Sequence, residues 1–121
     1  WSAGPGVTQA YAVIVEDADA AGGAFGQWVV WNIPGNVLKL DEGVAKSATL
    51  ADGTKQGQNG TPSTGYDGPQ LSAGQSHRYY FQVYALNQTL NLADSTTMAD
   101  LKAALGGKII ASGRTMGTFN G

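Results

Sequence analysis

The stretch QAYAVIVE at positions 9–16 is apolar at both its odd and its even positions. Successive side chains of a β-strand point to opposite faces, so a strand with this sequence has two apolar faces. Such a strand is stable in water only where other elements cover both of those faces. The stretch therefore predicts an interior strand, covered on both sides, in a layered β domain.

Two more segments have the character of strands. Trp28–Ile33 is a short apolar run that ends at the sequence Pro34-Gly35-Asn36, a strong turn signal. The segment 78–86 is the longest predicted strand, and its alternation gives one apolar face and one mixed face. The interval 51–77 between them is rich in glycine and is predicted to be a long loop, which in a compact domain is usually functional or mobile.

One helix is predicted, over residues 97–105. Thr97 and Asp100 have the spacing of a capping box, and the glycine pair at 106–107 supplies the stop. The residues that follow, 108–112, predict a short late strand. The elements together predict a single, mainly β domain with few helical residues.

Charge and composition exclude several classes of partner. The chain of 121 residues carries 7 basic and 9 acidic residues with no basic cluster, which predicts no nucleic-acid partner. No apolar run approaches the roughly 18 residues of a membrane span. With no cysteine and a single histidine, we predict neither a metal site nor a cofactor. The low charged fraction of 13% favours a periplasmic or secreted protein over a cytoplasmic one.

Polar side chains lie where these predicted strands meet loops. Asp17 and Asp19 follow the interior strand, and His77 and Tyr79 begin the longest one. In an extended chain Asp17 and Asp19 face the same way, and one of the two carboxyls is then expected to stay protonated. The alternative is a turn in which the Asp side chains accept hydrogen bonds from backbone N–H groups. Arg78 is expected on the opposite face from His77, paired with a carboxylate.

Four segments together resemble the phosphatidylethanolamine-binding proteins, specifically their bacterial and archaeal Raf-kinase-inhibitor-like branch. The segments are DADAA at 17–21, QWVVWNIP at 27–34, GYDGP at 65–69 and HRYYF at 77–81. The resemblance implies an antiparallel Greek-key β-sandwich with one or two short helices and a small anion pocket. It assigns six residues to that pocket, namely Asp17, Asp19, Gly68, Pro69, His77 and Tyr79.

The chain departs from the family pattern at several positions. Gln27 stands where the family has a pocket histidine, and we include it among the ligand-binding residues. Alanines at 18 and 21 replace two prolines, and Leu71-Ser72 replaces a Pro-Pro pair. The family's first strand precedes the position of Trp1, so the single domain 1–121 is expected to lack it. We expect either a fragment of a longer chain or a strand supplied by a neighbour, giving a homo-oligomer through an open sheet edge.

From these observations we predict a protein without catalytic activity that binds a small anion: phosphate, a phospholipid head group or a carboxylate. No nucleophile motif is present, and two carboxylates on one side of a strand cannot flank a glycosidic bond. One alternative is an inhibitor or regulator of a protease or kinase that uses the surface around the pocket. The other is a structural or assembly module whose pocket is vestigial.

Overall fold

The computed structural model describes residues 1, 6, 8–20, 25–36, 46–60, 63–66 and 76–120. In chain order the elements are β1 (Ala10–Asp17), β2 (Phe25–Pro34), β3 (Lys55–Gln56), β4 (Ser76–Leu86), α1 (Met98–Ala104) and β5 (Ile109–Asn120). The strands form one antiparallel sheet in the order β3-β2-β1-β4-β5. Strands β1 to β3 are consecutive neighbours and β4 returns to lie beside β1, which is a Greek key. The predicted mainly β, antiparallel fold class is confirmed.

Strand β1 lies at the centre of the sheet, as its two apolar faces predicted. All 8 of its residues are buried. It pairs with β2 on one edge, where Val13 lies opposite Val30, and with β4 on the other, where Val13 lies opposite Val83. Its side chains contribute to two hydrophobic clusters, one containing Ala12 and Ile14 and the other containing Tyr11, Val13 and Val15. The burial of these two clusters is the main force that holds the sheet together.

Helix α1 covers one face of the sheet. Ile14 of β1 and Trp31 of β2 belong to a buried cluster with Leu101 of the helix and Leu105 just beyond it, and Ile14, Trp31 and Leu101 are fully shielded from solvent. Leu101 is thus the residue through which the helix packs against the sheet. α1 has 7 residues. Within the described ranges, no helix is long and apolar enough to cross a bilayer.

Asn32 connects β2 to the segment that leads into the helix. Its backbone has a φ of 55°, in the left-handed region, which Asn adopts more readily than most residues with a side chain. The Asn32 side chain donates a hydrogen bond to the Leu90 carbonyl and accepts one from the Leu90 N–H, each at 2.7 Å. These two bonds hold Leu90 against the cluster under the helix, where it is buried.

The late strand is longer than the sequence predicted. We expected a strand over 108–112, but β5 has 12 residues and pairs with β4 along nearly all of its length. Gly113 and Gly117 interrupt its apolar alternation, so the sequence pattern did not predict the full strand. Pairing with β4 is what stabilises it. Strand β3 was also missed, because its two residues lie within the interval predicted to be a loop. Residues 61–62 and 67–75 of that interval lie outside the described residues.

The capping box of α1 provides a test of how much the helix depends on its first turn. Thr97 accepts a hydrogen bond from the Asp100 N–H, and the Asp100 carboxylate accepts one from the Thr97 N–H. We expect Thr97→Ala to lower the free energy of unfolding by about 1 kcal/mol in urea denaturation, because the N-terminal N–H groups lose an acceptor. Ser95→Ala, at an exposed position just before the cap, is the control and should cost much less. Equal losses in the two variants would contradict the assignment.

Candidate functional site

The uninterrupted pairing of β1 with β4 brings together Asp17, at the end of β1, and His77, near the start of β4. Asp17 lies opposite Tyr79 in this register, and His77 is two residues from Tyr79 on the same face of the strand. The Nδ1 atom of His77 and Oδ2 of Asp17 are 2.6 Å apart, and their side chains are 17% and 5% exposed. A carboxylate can only accept, so Nδ1 carries the hydrogen of this bond. The other ring nitrogen, Nε2, remains for a ligand.

The second oxygen of Asp17 fixes the carboxylate in this orientation. Oδ1 accepts a hydrogen bond from the Asp19 N–H at 2.9 Å, which is the geometry of an Asx turn. The backbone continues its pairing for one more residue, since the Ala18 N–H donates to the Arg78 carbonyl at 3.0 Å. The alternative prediction of a turn after Asp17 is therefore correct. Because of this turn, the Asp19 carboxylate has a different partner from that of the Asp17 carboxylate.

Asp19 pairs with Arg78, on the other side of β4 from His77. The guanidinium donates from Nε to Oδ2 and from Nη2 to Oδ1, at 2.9 and 2.8 Å, and the Arg78 N–H donates to Oδ2 at 2.8 Å. These side-chain and backbone hydrogen bonds hold the pKa of the Asp19 carboxyl well below its usual range. The side-chain hydrogen bonds and the negative charge of Asp19 raise the pKa of Arg78. The prediction that the Asp17 and Asp19 side chains face the same way is wrong, because the two carboxylates have separate partners. The expected carboxylate partner of Arg78 is found.

Tyr79 completes the cluster around Asp17. Its ring centroid lies 6.5 Å from that of His77, and the residue is 4% exposed. Its hydroxyl is buried, and no group in the described part of the chain meets it in hydrogen-bonding geometry. Burial, reinforced by the neighbouring Asp17 carboxylate, raises the pKa of Tyr79 to about 12. The hydroxyl is thus protonated at neutral pH, near the Asp17 carboxylate but not in hydrogen-bonding geometry with it.

Gln27 lies at an irregularity of the sheet beside this cluster. Val15 pairs with Trp28 and Glu16 pairs with Gly26, so Gln27 is the extra residue of a β-bulge. It is buried, but no hydrogen bond joins it to Asp17 or His77 in the structure. Trp28 next to it donates Nε1–H to Gln56 at 2.7 Å. Gln27 is therefore near the end of the sheet where the site lies, without forming part of the bonded cluster.

Two predicted site residues lie outside the described residues, and one cavity lies apart from this cluster. Gly68 and Pro69 fall in the interval 67–75, outside the described residues. The cavity, of about 580 Å³, is lined by residues of β1, β4 and β5 together with Trp1. Phe81 is one of these residues, and it is two positions beyond Tyr79 on β4. This cavity was not predicted from the sequence, although the alternation over 78–86 indicated that one face of β4 is apolar.

Comparison with known proteins covers almost the whole chain. The family model described as phosphatidylethanolamine-binding protein matches residues 1–120. A UPF0098 protein of Methanothermobacter thermautotrophicus is 34% identical over 119 residues, which are 98% of this chain and 78% of that protein. A UPF0098 protein of Pyrococcus horikoshii is 37% identical over 110 residues, which are 88% of this chain and 55% of that protein.

Two crystal structures have the same architecture. A phosphatidylethanolamine-binding protein homolog from Chlamydia trachomatis matches with a TM-score of 0.85 at 32% identity, over 99% of this chain and 77% of its own. YbcL of Escherichia coli, described as a member of the mammalian family of these proteins, matches with a TM-score of 0.86 at 30% identity. That match covers 99% of this chain and 76% of YbcL. Fold and sequence thus agree over nearly every residue of the chain.

The Asp19–Arg78 pair can be tested by titration. In Arg78→Gln the pKa of Asp19 should rise toward the ordinary value of about 3.9, as followed by the carboxyl chemical shift in NMR. Because the folded-state pKa is depressed, the pair stabilises the fold above about pH 4, and this contribution is lost as pH falls toward the folded-state value. Lys102→Gln, which removes a cation from Glu16 instead, is the control and should leave Asp19 unchanged. An unchanged Asp19 titration in Arg78→Gln would refute the assignment.

The buried hydroxyl of Tyr79 makes a separate prediction at alkaline pH. Absorbance of tyrosinate should show a late step near pH 12, and Tyr79→Phe should remove it. Because the folded-state pKa is raised, the neutral hydroxyl favours the folded state below about pH 10, and this contribution is lost as pH rises to about 12. Tyr80→Phe, the next residue, should keep the late step. If Tyr79→Phe also keeps it, the buried donor is misassigned.

Proposed function

The chain belongs to the phosphatidylethanolamine-binding protein family, and on that premise we propose that it is a binding module for a small anion. Members of this family are ligand-binding proteins in general. The ligand that we propose is a phosphate group, either free or in a phospholipid head group, or a carboxylate. The proposed contacts are Nε2 of His77 and the hydroxyl of Tyr79, with Asp17 as the residue that positions the imidazole.

The observation that carries the proposal is the 2.6 Å contact between His77 and Asp17 at the junction of β1 and β4. Asp17 holds Nδ1, so any proton gained by the ring must bind at Nε2, on the side away from the carboxylate. A protonated ring would then present an N–H donor with positive charge to the ligand. This is the arrangement that a site for an anion needs.

Tyr79 gives a second reason to propose an anion site. A buried hydroxyl without a partner costs free energy, and a ligand oxygen that accepts its hydrogen bond removes that cost. The raised pKa of Tyr79 keeps the hydroxyl protonated at neutral pH, so it donates and does not repel an anion. The two donors, His77 and Tyr79, lie on one face of the same strand.

The balance of charge predicts modest affinity that depends on pH. The positive charge of Arg78 is already used by Asp19, and Gln27 adds no charge where the family has a histidine. The net charge of the Asp17–His77 pair is therefore negative when the ring is neutral and zero when it is protonated. We expect anions to bind more tightly in mildly acidic solution, where histidine gains its proton.

We also propose that binding is not followed by catalysis. Among the described residues, His77 contacts Asp17 and the ring of Tyr79, and no Ser or Thr hydroxyl lies within hydrogen-bonding distance of it. A histidine positioned by a carboxylate acts as a general base only when it reaches a nucleophile. This pair is thus better suited to holding an anion than to activating a side-chain nucleophile.

Calorimetric titration with phosphate and with O-phosphorylethanolamine, at about pH 5.5 and about pH 7.5, tests the proposal. The parent chain should bind both more tightly at the lower pH. In His77→Ala we expect a loss of affinity of about tenfold or more at the lower pH, because the charged donor is gone. His77→Gln keeps a neutral donor and should bind with little difference between the two pH values.

A control variant and two contrary outcomes decide how the titration result is interpreted. Arg114→Gln removes a cation that lies over the ring of Tyr80 on another part of the sheet, and it should not alter binding. Equal binding by His77→Ala and the parent at both pH values would disprove the site. Absence of binding by the folded parent at both pH values would disprove the proposed function and favour the vestigial pocket.

A further inference from the structure

Arg78 fastens the turn after β1 to β4 at several points. The Ala18 N–H donates to the Arg78 carbonyl at 3.0 Å, and the Arg78 N–H donates to Oδ2 of Asp19 at 2.8 Å. The guanidinium also donates to both oxygens of the Asp19 carboxylate, at 2.9 and 2.8 Å. A bidentate pair of this kind fixes the relative orientation of the two groups as well as their distance. The backbone and the side chain of Arg78 therefore both determine where Asp19 lies.

The Asp19 carboxylate takes the place of a backbone acceptor at this end of the sheet. In a regular antiparallel ladder, the two residues of a hydrogen-bonded pair exchange both of their N–H···O bonds. The Arg78 carbonyl accepts from the Ala18 N–H in this way, but the Arg78 N–H donates to the side chain of Asp19. A side chain thus holds the turn against β4 just after β1 ends.

The same turn orients the Asp17 carboxylate. The χ2 torsion of an aspartate has a broad preference, so its own rotamers do not fix the direction of its two oxygens. Here the Asp19 N–H donates to Oδ1 of Asp17 at 2.9 Å, and Oδ2 of Asp17 lies 2.6 Å from Nδ1 of His77. The polar contacts therefore run without a gap from Arg78, through the two aspartates, to His77. A change at Arg78 can reach the imidazole along this path.

We propose that Arg78 is a positioning residue of the anion site: by holding the turn, it keeps the Asp17 carboxylate in the orientation that directs Nε2 of His77 toward the ligand. This inference rests on the proposed function, because it assigns a further residue to the same site. Neighbouring residues of a strand point to opposite faces, so the Arg78 side chain is on the face of β4 away from the imidazole. Arg78 thus acts on the site through the turn and not by contact with the ligand.

A purely electrostatic role for the Asp19–Arg78 pair predicts the opposite result in one variant. Asp19→Ala removes a negative charge and frees the positive charge of Arg78, so electrostatic attraction alone would make an anion bind more tightly. If the pair positions the imidazole, the same variant loosens the turn and the anion binds less tightly. In calorimetric titration with phosphate at about pH 5.5, we expect its affinity to be about threefold or more below that of the parent. Equal or tighter binding by Asp19→Ala would overturn the proposal.

The orientation of the imidazole can be measured without any ligand. The chain has one histidine, so the ring nitrogen signals in an NMR spectrum belong to His77, and the dispersion of the amide signals shows that each variant is folded. At alkaline pH, where the ring is neutral, the parent should carry its proton on Nδ1, because that atom faces Asp17. Arg78→Gln and Asp19→Ala should both show a mixture of the two tautomers. If both variants keep the proton on Nδ1 as fully as the parent, Arg78 does not position the ring.

A matched control removes an exposed ion pair on another part of the sheet. Asp94→Ala frees Lys55 of β3, whose Nζ lies 2.8 Å from Oδ1 of Asp94. Because β2 and β1 separate β3 from β4, this variant should have the His77 tautomer and the phosphate affinity of the parent.

The two measurements also separate this inference from the proposed function. If the parent binds no phosphate, the proposed function fails, and the tautomers of the variants still decide whether Arg78 positions the imidazole. If the parent binds phosphate and Asp19→Ala binds it equally well, the proposed function stands and the role of Arg78 fails.

Discussion

The unbroken antiparallel pairing of β1 with β4 is the contact on which the rest of the molecule depends. Every residue from Ala10 to Asp17 has a partner in β4 without a register shift, whereas the pairing of β1 with β2 contains two irregularities. The alternation of side chains therefore continues unchanged from the core to the site. A slip of one residue would change every cross-strand partner of β1 and would separate Asp17 from His77. Stability and site geometry are thus set by the same register.

The two aspartates show how the surroundings of a carboxylate decide its role. Asp19 and Arg78 are 31% and 54% exposed, and a pair as exposed as this one contributes little to stability. The Asp17 side chain is 5% exposed, and a buried charged pair is often no more stable than apolar residues of the same volume. Stability alone therefore gives little reason for an Asp–His pair at this place. A binding role does give a reason for the pair, because it needs an imidazole in a fixed orientation.

The sequence identified those features that have a local signal. β1 and the helix were predicted because apolar spacing and the Thr97 capping box are local patterns, and both are confirmed. The contact between His77 and Asp17 spans 60 positions and depends on strand register, so the residues could be named as candidates but their partnership could not be derived. The partner of Asp19 was not predicted because we assumed an extended chain, whereas the turn at Asp17 brings the Asp19 carboxylate to Arg78. The predicted strand at 108–112 was shorter than β5, because pairing with β4, and not the apolar pattern of its own residues, makes β5 a strand.

The distance in sequence between the two halves of the site has a consequence for how this protein can vary. Asp17 lies before the interval 18–76, His77 and Tyr79 lie after it, and none of these three groups comes from within it. Each doubling in length of a flexible loop costs only about 0.6 kcal/mol in closure entropy, so the parts of the interval outside β2 and β3 can change length cheaply. Such changes would leave the imidazole in place. The strands then supply a constant chemistry, whatever the length of the segments that join them.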